Sequence, residues 1–396
     1  MKSYRIEIKP NNKQLQLLKK SCNVSRYTYN WMLGKKIDEY EALKSLAKMY
    51  DLDKVPNIHG TYVEWSREWT LFKKDKDWIK EVSKCCGQEA LRNLEMSFKR
   101  FFKGLSKHPK FKRKGINESF RLNGFVFIDY NKIQLPVIGK VRLKEKGYAT
   151  DKKIKISSVT VSREVDRWFV SFFIKDKIVV PKLQELSNCA VNDILGIDLG
   201  IKTFAVLSDG TQIENPKNLK RSLKRLKQRQ RALSRKKKGS NNRNKARIKL
   251  ASIHEKVTNQ RLDFLHKTTA EIVQSYDTIC LETLTASNMM KNHKLAQALS
   301  DIAIGKFNEL LEYKAEWYGK NILRIGRFEP SSRLCTCGVI NKELKLSHRT
   351  WTCNNCGATH DRDVLASNNI KRMAFHSQNK IRVERSEFTL GSYESQ

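Results

Sequence analysis

Four cysteines are bunched late in the chain as Cys335-Thr336-Cys337-Gly338 and Cys353-Asn354-Asn355-Cys356-Gly357, with fifteen residues between the pairs. Four thiolates suit one structural, tetrahedral Zn²⁺, and a glycine after each pair leaves backbone amides free to point at sulfur. The second pair has the usual two-residue gap, whereas the first has one, which leaves His348 or His360 open as a substitute ligand. Carboxylates form a second candidate group. Residues 194–200 are apolar on both faces with Asp198 in their midst, and residues 276–284 read as a second buried strand closed by Glu282. The run His360-Asp361-Arg362-Asp363-Val364 opens a helix continuing through Ala366, Ile370 and Met373, and either aspartate there could simply serve the helix N-terminus. An ionised acid inside a buried strand is costly without a cation. Two strand acids and one from a late helix can converge on two Mg²⁺ (or Mn²⁺) ions, a pair suited to phosphodiester hydrolysis. No P-loop, Ser/His/Asp arrangement or H-E-x-x-H competes.

Charge points the same way. The 396 residues carry 78 Lys+Arg against 41 Asp+Glu, a formal net charge of +37, for which a polyanion is the natural partner. Between Lys217 and Lys249 there are sixteen basic residues and no acid. Leu219, Leu223, Leu226 and Leu233 keep an apolar stripe there, and Leu250, Ile253, Val257, Phe264 and Ile272 make another after the turn at Gly239-Ser240. Two packed antiparallel helices are therefore expected, not a loose basic tail. Their candidate nucleic-acid contacts are Lys220, Arg221, Lys224, Arg225, Lys227, Arg229, Arg231, Arg235, Lys236, Lys237 and Lys238. A second basic segment, Lys99, Arg100, Lys103, Lys110, Lys112, Arg113 and Lys114, interleaves Phe101, Phe102 and Phe111, a pattern for backbone tracking with some stacking. Such contacts position a nucleic acid without reading its sequence.

Nine cysteines, five of them scattered, indicate metal use in a reducing compartment and not a disulfide framework. No stretch approaches the roughly 18 apolar residues of a membrane span, and residues 1–5 open no signal peptide. Secreted, membrane and fibrous classes are excluded. The expectation is a prokaryotic cytoplasmic protein, associated with the nucleoid through DNA binding and with no membrane partner.

These residues need elements to hold them. Residues 3–8 alternate and read as a strand, followed by a helical region from about 13 to 105 that holds Trp31, Trp65, Trp69 and Trp78. Trp65 and Trp69 lie four apart on one helix face, a core reading that outweighs base stacking. Short strands follow at 119–122, 125–128, 132–136, 140–143, 158–161 and 167–173, the pattern of a small antiparallel barrel that the first strand could complete. After a linker at 186–192, strands at 194–200, 203–207, 212–213, 278–281 and 321–325 alternate with long helices, which indicates an α/β domain with a mixed sheet. Asp, Glu and Asp in this order fit the RNase H-like plan of a RuvC nuclease.

The chain resembles the TnpB family of transposon-encoded, RNA-guided DNA nucleases, relatives of type V CRISPR effectors. The matching motifs are Gly196-Ile197-Asp198-Leu199-Gly200, Leu281-Glu282-Thr283-Leu284, Tyr313-Lys314-Ala315-Glu316-Trp317-Tyr318-Gly319 and Pro330-Ser331-Ser332-Arg333. The cysteine insert and the run from Asp361-Arg362-Asp363-Val364 to Asn369-Ile370 complete the set; Leu365 stands where the family more often has Asn. The resemblance implies a multidomain α+β and α/β fold. A wedge β-barrel (1–10 and 106–185) would carry an inserted helical recognition lobe (11–105). A RuvC domain (193–330 and 361–376) would be interrupted by a zinc ribbon (331–360) that binds the target nucleic acid, and a flexible tail (377–396) would close the chain. It further implies Asp198, Glu282 and Asp363 as catalytic and Mg²⁺-binding acids, and Cys335, Cys337, Cys353 and Cys356 as ligands of one Zn²⁺. The implied partners are a guide RNA, double-stranded target DNA and the transposase of the same element. The implied activity is cleavage of complementary DNA beside a short flanking motif. An RNA-guided DNA-binding regulator that no longer cuts, and a compact type V CRISPR effector nuclease, are the alternatives; the presence of all three acids speaks against the first.

Overall fold

The computed structural model describes residues 2–50, 60–147, 154–174, 181–183, 186, 190–284, 289–345 and 348–390. The chain forms two compact units, Met1–Ile178 and Val179–Gln396.

In the first unit six antiparallel strands close a barrel in the order β1-β4-β3-β2-β5-β6. They are β1 (Lys2–Lys9), β2 (Ser119–Ile128), β3 (Lys132–Leu135), β4 (Gly139–Leu143), β5 (Ile154–Glu164) and β6 (Arg167–Ile174). The amino-terminal strand closes it, pairing with β6 from Lys2↔Ile174 to Ile8↔Trp168 and with β4 at Ile8↔Leu143. Alternation fills the interior with Ile6, Leu122, Ile128, Val141, Val159, Val161, Val170 and Phe172. The sequence pattern suggests two strands over 119–128. The structure joins them into one, bulged where the register shifts between Asn123 and Val126.

Helices α1 (Asn12–Met49), α2 (Tyr62–Phe72), α3 (Asp77–Lys80) and α4 (Cys85–Phe102) all lie between β1 and β2, so the helical block is an insertion into the barrel. A capping box starts α1: Asn11 Oδ1 accepts from Gln14 N at 2.9 Å, and Gln14 Oε1 accepts from Asn11 N at 3.1 Å. Trp65 and Trp69 are each 2% exposed and belong to the core.

The second unit is built on a sheet in the order β11-β10-β7-β8-β9. Its strands are β7 (Ile194–Leu199), β8 (Thr203–Leu207), β9 (Gln212–Glu214), β10 (Thr278–Glu282) and β11 (Asn321–Ile325). β7, β10 and β11 run parallel, and β8 and β9 continue as an antiparallel meander from β7. Among the described residues these helices accompany it: α5 (Asn218–Ser234), α6 (Asn241–Ser275), α7 (His293–Ile302), α8 (Ile304–Tyr318) and α9 (Arg362–Leu390). One face of the sheet packs Leu195, Ile197, Phe204 and Leu281 against Leu265, Ile272, Phe307 and Leu311 of α6 and α8. The other packs Ile194, Cys280, Leu323 and Ile325 against Ile370 and Ala374 of α9. Apolarity on both sides of β7 and β10 is what two covered faces require.

Contact between α9 and β7 is unusually close. A Cβ added at Gly196 would lie 2.0 Å from the Ser367 carbonyl oxygen, so only glycine fits there. Between α8 and α6, the buried Lys314 Nζ donates to His266 O at 2.5 Å and to Thr269 Oγ1 at 2.8 Å. Burial holds its pKa below the usual lysine range.

Two sequence expectations change. α9 extends to Leu390 where a loose tail is expected from 377, since no proline or glycine interrupts 377–390. Within the expected linker, Val191–Asp193 forms a 3₁₀ turn leading into β7; its residues 187–189 lie outside the described residues, as do 391–396. A small antiparallel pair, β12 (Thr350–Thr352) and β13 (Thr359–Asp361), carries the second cysteine pair between its strands.

Candidate active site and metal centre

Asp198 and Glu282 stand at the carboxyl ends of neighbouring parallel strands, each one residue beyond the last paired positions, Ile197↔Leu281. That edge is where α/β sheets gather ligands. Asp363 comes from the first turn of α9, which the Gly196 contact holds against β7. Glu282 and Asp363 both lie within electrostatic reach of Asp198. Burial pushes the Asp198 carboxyl up to about 7, and the negative charges of Glu282 and Asp363 add to the shift, with Arg362 and Arg349 partly opposing it. Asp361 has a different task. Its Oδ1 accepts from the Asp363 and Val364 amides, both at 3.0 Å, and so caps α9.

Neighbouring polar groups fix two of the acids. Ser331 Oγ–H donates to Glu282 Oε1. Ser331 is itself held by the buried Asn369, whose Nδ2 donates to Ser331 O and Leu334 O at 2.7 Å each. Arg349 Nη1 donates to Asp363 Oδ2 at 2.6 Å. Sequence reasoning gave these three residues no role. Ser331 and Asn369 lie inside motifs that mark the family, a signal without an assignment. Arg349 offers none, because only folding brings it to an acid fourteen positions away.

All four late cysteines meet, with their sulfurs within 4.8 Å of one another. Cys335 Sγ lies 3.6 Å from Cys356 Sγ, and Cys337 Sγ lies 3.7 Å from Cys353 Sγ. Tetrahedral Zn–S bonds of about 2.3 Å imply S···S separations of about 3.75 Å, so the quartet has the dimensions of a Cys₄ site. The one-residue gap of the first pair is accommodated. Both knuckles turn through glycine, Gly338 at φ 90° and Gly357 at φ 72°. His360 joins the site as a neighbour: its Nε2 is 3.1 Å from Cys335 Sγ, and its ring sits 5.0 Å from that of Trp351. The Val339 amide, then the Asn355 amide, draw the Cys337 thiol down to about 6. The Ala358 amide favours the Cys356 thiolate, yet the neighbouring sulfurs push that thiol up to about 12. Without a cation, four adjacent thiolates repel one another. Leu365 packs with Leu344 and Trp351 beside Cys335 and Cys353, so the departure from the family pattern serves apolar contact.

The basic segments divide. In the first unit Lys99, Arg100, Lys103, Lys110, Arg113 and Lys114 are exposed, Lys99 with Glu95 at 3.2 Å. Lys112 is half-buried, its Nζ 4.2 Å from the Tyr29 ring centroid, and both its main-chain groups bond to Asn30 at 2.8 Å. In the second unit Lys220, Arg221, Lys224, Arg225, Lys227, Arg231, Arg235, Lys236, Lys237 and Lys238 are exposed, and Arg229 is half-buried. α5 and α6 pack through Leu226, Leu250 and Ile253, flanked by Leu219 and Leu233. Asp301 anchors α5, accepting from the amides of Leu219 and Lys220 and from Arg261. Among the described residues no helix is long and apolar enough to cross a membrane.

Three families match the chain: "Probable transposase" over residues 178–293, "Cas12f1-like, TNB domain" over 305–370 and "Helix-turn-helix domain" over 1–45. The last falls on β1 and one continuous helix, α1. A Streptomyces pristinaespiralis protein named "Putative RNA-guided DNA endonuclease" is 40% identical over 323 residues, covering 78% of this chain and 77% of its own. A protein of the same description, InsQ of Escherichia coli K12, is 28% identical over 387 residues, covering 93% and 91%. A Cas12f1 chain solved with guide RNA and target DNA shares the fold at TM-score 0.52 and 15% identity, covering 91% of this chain and 82% of that one.

Proposed function

This chain belongs to the TnpB family, and on that premise we propose that it is an RNA-guided DNA endonuclease. It binds a guide RNA, pairs it with double-stranded DNA and cleaves beside a short flanking motif. In this reading the barrel is the wedge domain, its inserted helices the recognition lobe, the five-stranded unit an RNase H-like RuvC domain and residues 331–360 a zinc ribbon. The transposase of the same element is its functional associate. The observation that carries the proposal is the convergence of Asp198, Glu282 and Asp363, 165 positions apart in sequence from first to last: burial pushes the Asp198 carboxyl up to about 7, and the charges of Glu282 and Asp363 add to that shift.

The donor set fits hard divalent cations: three carboxylates gather where one of them ionises with difficulty unless positive charge is supplied. Asp198, Glu282 and Asp363 would hold two Mg²⁺ (or Mn²⁺) ions, which supply an activated water and charge stabilisation at the leaving oxygen of a phosphodiester. Ser331 keeps Glu282 turned into the site, and Arg349 balances the charge of Asp363. Cys335, Cys337, Cys353 and Cys356 would hold one structural Zn²⁺, a closed site with no position for substrate.

Single substitutions Asp198→Ala, Glu282→Ala and Asp363→Ala should each abolish target cleavage while RNA binding persists, and the three losses should not add. EDTA should stop the reaction. Asp361→Ala removes only a helix cap and should still cut. Loss of cleavage in Asp361→Ala together with activity in Asp363→Ala would overturn the assignment.

A further inference from the structure

The four sulfurs of the cysteine insert differ in what surrounds them. Cys337 Sγ accepts from the Val339 amide and from Asn355 Nδ2, the latter at 3.7 Å. Cys353 accepts from the Cys356 and Asn355 amides, and Cys356 from the Ala358 amide. Cys335 is fully buried, so water cannot solvate its sulfur. Among the described residues, the nitrogen and oxygen atoms near that sulfur are His360 Nε2 at 3.1 Å and the hydroxyl of the exposed Thr336 at 3.8 Å. A buried anion without a donor is costly, and the imidazole is the nearer of the two.

His360 is held on β13 opposite Trp351 of β12, with the two rings 5.0 Å apart and the indole buried. Its nitrogen is not placed as a ligand. Two ligands of one tetrahedral zinc, with bonds of about 2.3 Å to sulfur and 2.0–2.1 Å to nitrogen, stand about 3.5 Å apart. The 3.1 Å separation is shorter than that. Among the described residues, the ligand atoms that lie within 4.8 Å of one another are the four sulfurs, with His360 outside the group. A zinc-bound thiolate carries no proton, so the hydrogen of this contact belongs to Nε2.

We propose that His360 supports the metal site from outside it: its Nε2–H donates to the buried Cys335 thiolate, helps retain Zn²⁺ and fastens the first knuckle to β13. This rests on the Cys₄ zinc reading and deepens it by adding a positioning residue that is not a ligand. Four thiolates carry more negative charge than one Zn²⁺ balances, and donors to sulfur disperse the excess. The same bond reaches toward the acids. Asp361, next in the chain, caps α9 through the Asp363 and Val364 amides at 3.0 Å each, so β13 joins the buried thiolate to the helix that carries Asp363.

The test uses the full chain, with Zn²⁺ titrated against a chelator of known affinity and Co²⁺ substituted for the absorption spectrum. His360→Phe keeps a ring against Trp351 and removes the donor, whereas His360→Gln keeps an N–H donor and removes the ring. His360→Phe should bind zinc about 10–100-fold more weakly, the usual cost of losing such a partner, and His360→Gln should recover most of that loss. The cobalt spectrum of both variants should match that of the unaltered protein, because four thiolates remain in place, and Cys337→Ser should change it. Zinc affinity unchanged in His360→Phe, or lowered equally in both variants, would overturn the donor role. A cobalt spectrum altered by His360→Phe and untouched by Cys337→Ser would make the histidine a ligand in place of Cys337, and would overturn it as well. Unaltered protein that binds no zinc would instead end the Cys₄ reading and this one with it, so the two failures are told apart without any measurement of cleavage.

Discussion

Gly196 is a position where packing and the proposed catalytic acids are tied closely together. Substituting alanine would put a methyl carbon 2.0 Å from the Ser367 carbonyl oxygen and 2.9 Å from both N and Cβ of Lys371. An ordinary C···O approach is about 3.3 Å, so α9 would have to retreat by roughly 1.3 Å, or β7 bend by as much. The obstacle is main chain, and no side-chain change at 367 can relieve it. Overpacking of this kind costs about 1–3 kcal/mol. For a unit of this size that is a fall in Tm of about 2–10 °C. The chemical effect should be larger. Asp198 lies two residues along β7 and Asp363 one turn before Ser367 on α9, so the shift falls between the two carboxylates. A misplacement of about 1 Å costs on the order of 100-fold in rate. Single-turnover cleavage by Gly196→Ala should therefore drop about 100-fold at 25 °C, with RNA affinity unaltered and the protein still folded. Cleavage within threefold of the unaltered protein would refute the claim that this contact sets the distance between the acids.

The purified protein should carry one Zn²⁺ per chain by elemental analysis, and Cys353→Ser or Cys356→Ser should lose the metal, lower the melting temperature and impair cleavage; active protein free of zinc would end that reading. Lys314 gives a pH signature. Its pKa is lowered by burial, so the unfolded chain binds more protons between the folded pKa and the ordinary lysine value near 10.4, and stability should rise with pH through that window. Thermal melts from pH 8 to 10.5 should show this rise, and Lys314→Met should lack its share of it; identical pH profiles would mean the amine is not held as described.

Much of this was legible from residue order because periodicity and spacing are local signals. Alternation located the strands of the barrel, and the leucine stripes predicted that α5 and α6 pack against each other. The apolar setting of Asp198 marked it as anomalous before any fold was known. What the sequence leaves open is whatever tertiary geometry decides. Asp361 and Asp363 both suit a helix N-terminus, and only the family motif favours Asp363 as the site acid; folding adds that Asp361 accepts from the first amides of α9. Lys112 looks like its basic neighbours until the Tyr29 ring and Asn30 are seen to hold it. The extension of α9 past 377 follows from uninterrupted helix-compatible residues, which a polar composition hides.

The cysteine insert and the acids behave mechanically as one assembly. The insert's own apolar core comprises Cys335, Leu344, Trp351 and Cys353 with Leu365 of α9, too little to fold without help. A structural Zn²⁺ contributes on the order of 10–16 kcal/mol in small domains, far more than so small a cluster can supply by burial. Both ends of the insert touch a carboxylate. At one end Ser331 donates to Glu282, and Asn369 ties down Ser331 and Leu334, directly beside Cys335. At the other, Arg349 pairs with Asp363, and the Arg362 amide donates to Arg349 O at 2.7 Å. On the proposed reading, two of the three acids are thus oriented by residues whose positions would depend on a closed thiolate site. If the proposed Zn²⁺ closes that site, a metal that never meets substrate would govern the proposed reaction at the sheet edge, since small displacements of oriented carboxylates are amplified in rate.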